Sequence, residues 1–169
     1  MRSRALVGVG VALGLLALAE RGLDNVRLTF NPSSSAPRGW YWITPARQFK
    51  IGDYVLARLP HDVASFAASR GYLPQSVPVL KKIVATTGQQ ACVEEGRVLI
   101  DGAALAQVLV ADAQGRRIPL WRQCRQLLPN ELFLLNTTHP ASFDSRYFGP
   151  LDRSFVIGTA SPLWTLSLP

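Results

Sequence analysis

The chain has 169 residues, which is enough for one domain with a sizeable hydrophobic core. Apolar residues make up 48% of it and charged residues 17%, which excludes an intrinsically disordered protein and a coiled coil. The formal net charge is +7, but the arginines are spread along the chain and the longest basic runs are pairs. We therefore expect no nucleic-acid partner and favour a basic surface that tolerates an anionic membrane.

The N-terminus carries an export pattern. Arg2 and Arg4 precede an uncharged, mostly apolar run at 5–19. As a helix, this run would span about 22 Å at 1.5 Å per residue, less than the roughly 30 Å of a bilayer core. Residues 1–25 therefore predict a cleaved secretory signal ending at an A-x-A site (17–19), or a short uncleaved signal anchor, followed by a connector. A buried core helix is the alternative.

The basic flank favours export in either of the first two cases. We then expect residues 26–169 to form a periplasmic domain that is associated with the inner-membrane lipid through the N-terminal helix.

The rest of the chain is predicted to be mostly β. One helix is expected over Asp62–Arg70, capped by His61 or Asp62 and ended by Gly71. Turn signals at 95–96 and 101–102 predict hairpins. Strands are predicted, in chain order, at 26–30, 40–44, 53–59, 77–86, 91–93, 97–100, 103–110, 131–135 and 154–160. This pattern indicates antiparallel β-sheets with one short covering helix, preceded by the N-terminal apolar helix.

The chain has two cysteines, Cys92 and Cys124. They form no C-x-x-C pair and no histidine cluster accompanies them, so we expect no metal and no cofactor. In an oxidising compartment an even pair most simply forms one disulfide, whereas two buried free thiols are the alternative.

A nucleophile is predicted in the loop 31–39, which contains Ser33, Ser34, Ser35 and two prolines. A stiff loop can hold a serine hydroxyl in one geometry, but the hydroxyl still needs a base. His61 and His139 are expected at a helix start and in a solvated loop, which disfavours a Ser-His-Asp triad. The remaining candidate base is a neutral lysine.

Two adjacent lysines, Lys81 and Lys82, lie in an apolar strand. Both faces of that strand are apolar, so alternation does not choose between them. To be mostly neutral near pH 7, a lysine pKa must fall by about 3 units from its ordinary value, and burial can cause this. The alternative is one lysine at the surface and one in an ion pair. Asp144 lies two residues before Arg146, which favours a local ion pair.

Three segments together resemble one family. Residues 35–41, SAPRGWY, resemble the S-x-P-x-G-x-Y box of TraF-type conjugative-transfer peptidases, a branch of the type I signal peptidases that use a Ser/Lys dyad. Residues 80–84, LKKIV, with Gly88, look like the family's lysine box, and 143–149, FDSRYFG, are similar to its third box. The similarity covers most of residues 30–165 and implies a signal-peptidase-like β-sheet fold.

The resemblance also implies roles for individual residues. Ser35 would be the nucleophile and Lys81 the general base. The Ser33 hydroxyl and the Ser35 backbone N–H would form the oxyanion hole. Asp144 would either orient the dyad or hold Arg146.

The resemblance implies a serine endopeptidase that matures a pilin-like precursor for conjugation or type IV secretion, by hydrolysis or by cyclisation. Two positions depart from the family pattern, with Lys82 where Arg is usual and Gln89 where Asp is usual. A housekeeping signal peptidase is one alternative, although such enzymes usually carry S-M-x-P where this chain has SAP. A non-catalytic periplasmic module for pilus assembly is the other alternative.

Overall fold

The structure is a computed structural model, and it describes residues 28–166. The predicted N-terminal segment, residues 1–25, lies outside the described residues. Within 28–166, no helix combines the length and the apolar character needed to cross a bilayer.

The described residues form two antiparallel sheets, which confirms the mostly-β prediction. The elements, in chain order, are β1 (Leu28–Asn31), β2 (Arg38–Thr44), β3 (Tyr54–Ala57), α1 (His61–Ser69), β4 (Val79–Ala85), β5 (Gln90–Glu94), β6 (Arg97–Ile100), β7 (Ala103–Gln107), β8 (Cys124–Gln126), β9 (Glu131–Leu135), α2 (Ser145–Phe148), β10 (Leu151–Asp152), a 3₁₀ turn (Arg153–Phe155) and β11 (Val156–Leu166). The larger sheet has the order β1-β2-β11-β3-β4-β9-β10, and the smaller has the order β7-β6-β5-β8.

The helices differ from the prediction in two ways. The predicted side-chain cap of α1 is wrong, because Pro60 occupies the N-cap position and, among residues 28–166, no side chain caps the helix. The prediction of a single helix is also wrong for the described part of the chain, since α2 and a 3₁₀ turn are present. Each covers too few residues to produce a periodic apolar pattern. The turn also moves the start of the strand predicted at 154–160 to Val156, and the strand runs on to Leu166.

The predicted hairpins of the smaller sheet are confirmed. Glu95 and Gly96 join β5 to β6, and both have positive φ angles, 49° and 73°. Asp101 and Gly102 join β6 to β7 in the same way, with φ angles of 49° and 83°. Two consecutive positive φ angles are typical of the tight turns that match the twist of paired strands. The strand after the second turn ends at Gln107, earlier than predicted.

The smaller sheet also contains the two cysteines. Cys92 of β5 lies directly opposite Cys124 of β8, and their sulfur atoms are joined in a disulfide. β8 was not predicted, because a strand of three residues is too short to show an alternation of apolar and polar residues.

An apolar cluster ties the serine loop to the lysine strand. Ala36 of the loop packs in one cluster with Tyr41 and Ile43 of β2, Leu56 of β3 and Leu80 of β4. β11 pairs with β2 on one side and β3 on the other, so all these strands belong to one sheet. The core therefore holds the loop 32–37 and Lys81 on a common scaffold.

Candidate active site

The serine loop connects β1 to β2, and its downstream end is held by two residues of β2. Gly39 has a φ of +150°, and a Cβ at that position would collide with the backbone of Trp164 on β11. The buried hydroxyl of Tyr41 donates a hydrogen bond to the carbonyl oxygen of Pro37 at 2.7 Å. Burial, together with the nearby Tyr54, raises the pKa of Tyr41 to about 12. The hydroxyl therefore remains a donor at every pH at which the protein is expected to work.

The two predicted serine residues are in contact within this loop. Ser33 Oγ lies 2.8 Å from Ser35 Oγ, and it also lies 3.1 Å from the side-chain oxygen of Asn31. The predicted nucleophile and the predicted oxyanion donor therefore already form a hydrogen-bonded pair.

Burial distinguishes the two lysines. Lys81 is only 4% exposed, whereas the ammonium of the partly exposed Lys82 lies 4.9 Å from the centre of the Tyr54 ring. Burial lowers the pKa of Lys81 to about 8; Asp144 opposes this shift and Arg146 supports it. The lowered pKa makes loss of the Lys81 proton near neutral pH much less costly than it is for an exposed lysine.

The Lys81 ammonium donates to the hydroxyl of Ser142 at 2.7 Å, a contact that spans 61 residues of sequence. Ser142 is 2% exposed, so this bond satisfies a polar group in a site that is nearly closed to water. Ser142 was not predicted as a site residue, because a lone serine in a loop carries no signal. Its position just before the third box, FDSRYFG, was the available hint.

Asp144 holds Arg146, the second of the two roles left open for it. The guanidinium Nε and Nη2 each lie 2.8 Å from a carboxylate oxygen, and both side chains are at most 1% exposed. Arg146 also donates to four carbonyl oxygens, those of Gln107, Asn136, His139 and Pro140. The pair therefore organises the segment that carries Ser142.

Asn136 extends this network to the lysine strand. Its amide donates to the carbonyl oxygen of Leu80 and accepts from the backbone N–H of Lys82. It therefore binds the backbone on both sides of Lys81. Its own backbone N–H donates to Asp144. No role was predicted for this buried asparagine from the sequence.

A cavity of about 460 Å³ joins these groups. Ser33, Ser35, Lys81 and Ser142 line it together with mostly apolar side chains. Among the residues that the structure describes, no hydrogen bond joins Ser35 Oγ to Lys81 Nζ. Ser35 bonds to Ser33 instead, and Lys81 bonds to Ser142. Catalytic hydrogen bonds are often not yet formed in an enzyme without its substrate.

The prediction for one histidine is wrong. His139, expected in a solvated loop, is half-buried and lines the cavity, and its Nδ1 is buried with no hydrogen-bond partner in the part of the chain that the structure describes. The loop is folded inward because Arg146 binds the His139 carbonyl oxygen. His61 lies at the exposed start of α1, as predicted.

Comparisons with known proteins show the family of the chain. The family model for signal peptidases, peptidase S26, matches residues 4–164. The chain is 30% identical to a plasmid transfer protein TraF of Escherichia coli, over 94% of each chain. It is 31% identical to a conjugal transfer protein TraF of Agrobacterium fabrum, over 80% of this chain and 81% of that protein.

A solved signal peptidase I from Enterococcus faecalis is 16% identical, covers 69% of this chain and 98% of its own, and superposes with a TM-score of 0.39. The family match and the TraF relatives confirm the resemblance found in the sequence boxes. The chain belongs to the signal peptidase family, peptidase S26.

Proposed function

We propose that this protein is a serine endopeptidase in which Ser35 is the nucleophile and Lys81 the general base. The observation that carries the proposal is a buried lysine, with its pKa lowered to about 8, that lines the same cavity as a serine on a constrained loop. An arginine could not take this part, because it does not lose its proton in proteins. Membership of the peptidase S26 family supports the same chemistry.

The reaction is an acyl transfer. Neutral Lys81 takes the Ser35 proton while Ser35 Oγ attacks the scissile carbonyl carbon, and the oxyanion accepts from the Ser35 backbone N–H and the Ser33 hydroxyl. Collapse of this intermediate breaks the peptide bond, and Lys81 returns the proton to the leaving amine. Before the attack, Ser35 must exchange Ser33 for Lys81 as its hydrogen-bond partner.

We propose a pilin-like precursor as the substrate, cleaved after small residues for conjugative transfer or type IV secretion. The TraF relatives carry names of plasmid and conjugal transfer, which supports this choice. Release of the acyl-enzyme by water gives a linear product, and release by the substrate's own N-terminal amine gives a ring.

Substitution of either dyad residue tests this proposal. Ser35→Ala and Lys81→Ala, produced as full chains in membranes, are expected to reduce maturation of a co-expressed pilin-type precursor by about a thousandfold or more. Lys82→Ala is the matched control, because the Lys82 ammonium lies over the Tyr54 ring instead. This variant is expected to mature the precursor normally.

Mass spectrometry of the product separates the outcomes, since a ring is one water lighter than the linear product. Maturation that persists in either dyad variant would overturn the assignment and favour a non-catalytic assembly module. Cleavage of many unrelated exported preproteins would favour a housekeeping signal peptidase.

We also propose that this enzyme lies against the inner membrane. An apolar face of the larger sheet is exposed and crosses three neighbouring strands; it consists of Leu28, Phe30, Trp40, Trp42 and Trp164. Three of these five residues are tryptophans, which prefer the interface between lipid headgroups and hydrocarbon. β1 begins shortly after the apolar run 5–19 in sequence, which makes a bilayer the natural occupant of this face.

Quenching by lipid distinguishes this face from the rest of the molecule. In full-chain protein reconstituted into brominated phosphatidylethanolamine and phosphatidylglycerol, a variant that keeps only Trp42 is expected to lose most of its fluorescence. A variant that keeps only Trp121 is the control, since that ring packs against Phe133 outside this face, and it is expected to stay bright. Equal quenching of the two would contradict the proposed orientation.

A further inference from the structure

A buried asparagine lies beneath the serine loop. Asn31, the last residue of β1, is 8% exposed. Its amide nitrogen donates to the carbonyl oxygens of Ser33, Ala36 and Pro37, each at 3.1 Å. Its amide oxygen accepts from the backbone N–H of Ser33 at 3.2 Å and from the Ser33 hydroxyl at 3.1 Å. Both ends of the amide are therefore used within one loop.

The surroundings fix the orientation of this amide. If it were flipped, its oxygen would face three carbonyl oxygens, and its NH₂ group would face the N–H of Ser33. The amide oxygen can only accept, so the hydroxyl proton of Ser33 points to Asn31. The 2.8 Å contact between the two hydroxyls then needs the proton of Ser35. The chain of donors consequently runs from Ser35 to Ser33 to Asn31.

We propose that Asn31 is a positioning residue for the acyl transfer, an inference that rests on the proposed function. Its nitrogen holds the loop closed from Ser33 to Pro37, and its oxygen directs the two serine hydroxyls. Ser35 Oγ is thereby kept in one place on the cavity wall. When Lys81 takes the Ser35 proton, Ser33 remains bound to Asn31 through its backbone N–H. Its hydroxyl is then free to rotate from Asn31 to the oxyanion.

Two variants separate the contributions of the amide. Asn31→Asp keeps the shape and the acceptor but places a second oxygen against three carbonyl oxygens, whereas Asn31→Ala removes all five hydrogen bonds of the amide. In the full chain acting on the pilin-type precursor, each is expected to lower kcat by about 10- to 100-fold with KM changed by less than about twofold, because the lost hydrogen bonds hold Ser33 and the loop that carries the reacting Ser35 hydroxyl.

The pH profile distinguishes positioning from general damage. Activity of the wild type is expected to rise with pH as Lys81 loses its proton, with a midpoint near the lysine pKa of about 8. Asn31 has no hydrogen bond to Lys81 among the described contacts, so the midpoint is expected to stay in place in both variants. A loosened cavity would instead admit water to Lys81 and move the midpoint towards its ordinary value.

Controls make the remaining outcomes informative. Val98→Ala is a control for lowered stability, because Val98 is buried in the core beside the smaller sheet. It is expected to leave kcat and the midpoint unchanged below the melting temperature of the variant. Asn31→Ala combined with Ser33→Ala is expected to lose less than the product of the single losses, because both act through one hydrogen bond.

The inference is overturned if both Asn31 variants keep more than about half of kcat, or if the midpoint moves together with kcat. Ser35→Ala distinguishes this failure from failure of the proposed function. If Ser35→Ala is active, the assignment of Ser35 as the nucleophile is wrong. If Ser35→Ala is inactive while Asn31→Ala is active, only the positioning role of Asn31 is wrong.

Discussion

Arg146→Met is expected to lower the free energy of unfolding by about 3–5 kcal/mol, the usual cost of breaking a buried ion pair by removing one partner. Met keeps much of the length of the side chain but leaves the Asp144 carboxylate, 0% exposed, without its guanidinium. Four backbone carbonyl oxygens lose a donor at the same time.

Urea unfolding of the full chain in detergent, followed by circular dichroism, measures this loss. Arg125→Met is the matched control, because Arg125 also makes a two-pronged pair, with Glu131, but the two side chains are 33% and 18% exposed. Its loss is expected to cost about 1 kcal/mol or less. Equal costs for the two substitutions would show that burial of the Arg146 pair contributes nothing.

Lys81→Met is expected to abolish peptidase activity and yet to stabilise the folded protein at pH 7 by up to roughly 3 kcal/mol. The wild type must keep a charged amine in an almost closed site, which lowers its pKa from 10.5 to about 8. Met fills similar space without that cost. The lost hydrogen bond to Ser142 offsets part of the gain.

The pH dependence of this difference has a definite sign. Between pH 8 and 10.5 the unfolded wild type binds more protons at Lys81 than the folded form does, so wild-type stability rises with pH across that window. The Met variant lacks this contribution, and its advantage is expected to be largest below pH 8 and to shrink as the pH rises.

Chemical unfolding of both proteins between pH 6 and 10 measures the effect. Ser142→Ala serves as the control, since it removes the hydrogen bond but keeps the lysine and hence the pH dependence. An advantage of the Met variant that does not change over this range would contradict the burial of a titrating amine.

Sequence patterns were sufficient where one strand or one turn decides the structure. β2 alternates strictly between exposed and buried residues, and the hairpin turns require positive φ angles that Gly96 and Gly102 adopt readily. The sequence boxes also identified the family, because short motifs in a fixed order are local information.

Sequence patterns failed where a residue is defined by a distant partner. β4 lies between β3 and β9 and is buried on both faces, so alternation could not separate Lys81 from Lys82. Ser142 belongs to the site only through its hydrogen bond to Lys81, which lies 61 residues earlier in the sequence. Asn31 and Asn136 are polar residues whose partners are backbone atoms, which no side-chain pattern reveals.

The position of β11 has a consequence for biogenesis. It lies between the hairpin that carries Ser35 and the strand pair that carries Lys81, and it is the last of the described strands in chain order. Because β1, β2, β3 and β4 all precede β11 in sequence, a chain that emerges from its N-terminus can form both strand pairs before the strand that unites them is available. The loop that carries Ser35 and the strand pair that carries Lys81 are therefore joined into one sheet only when residues 156–166 take their place between them.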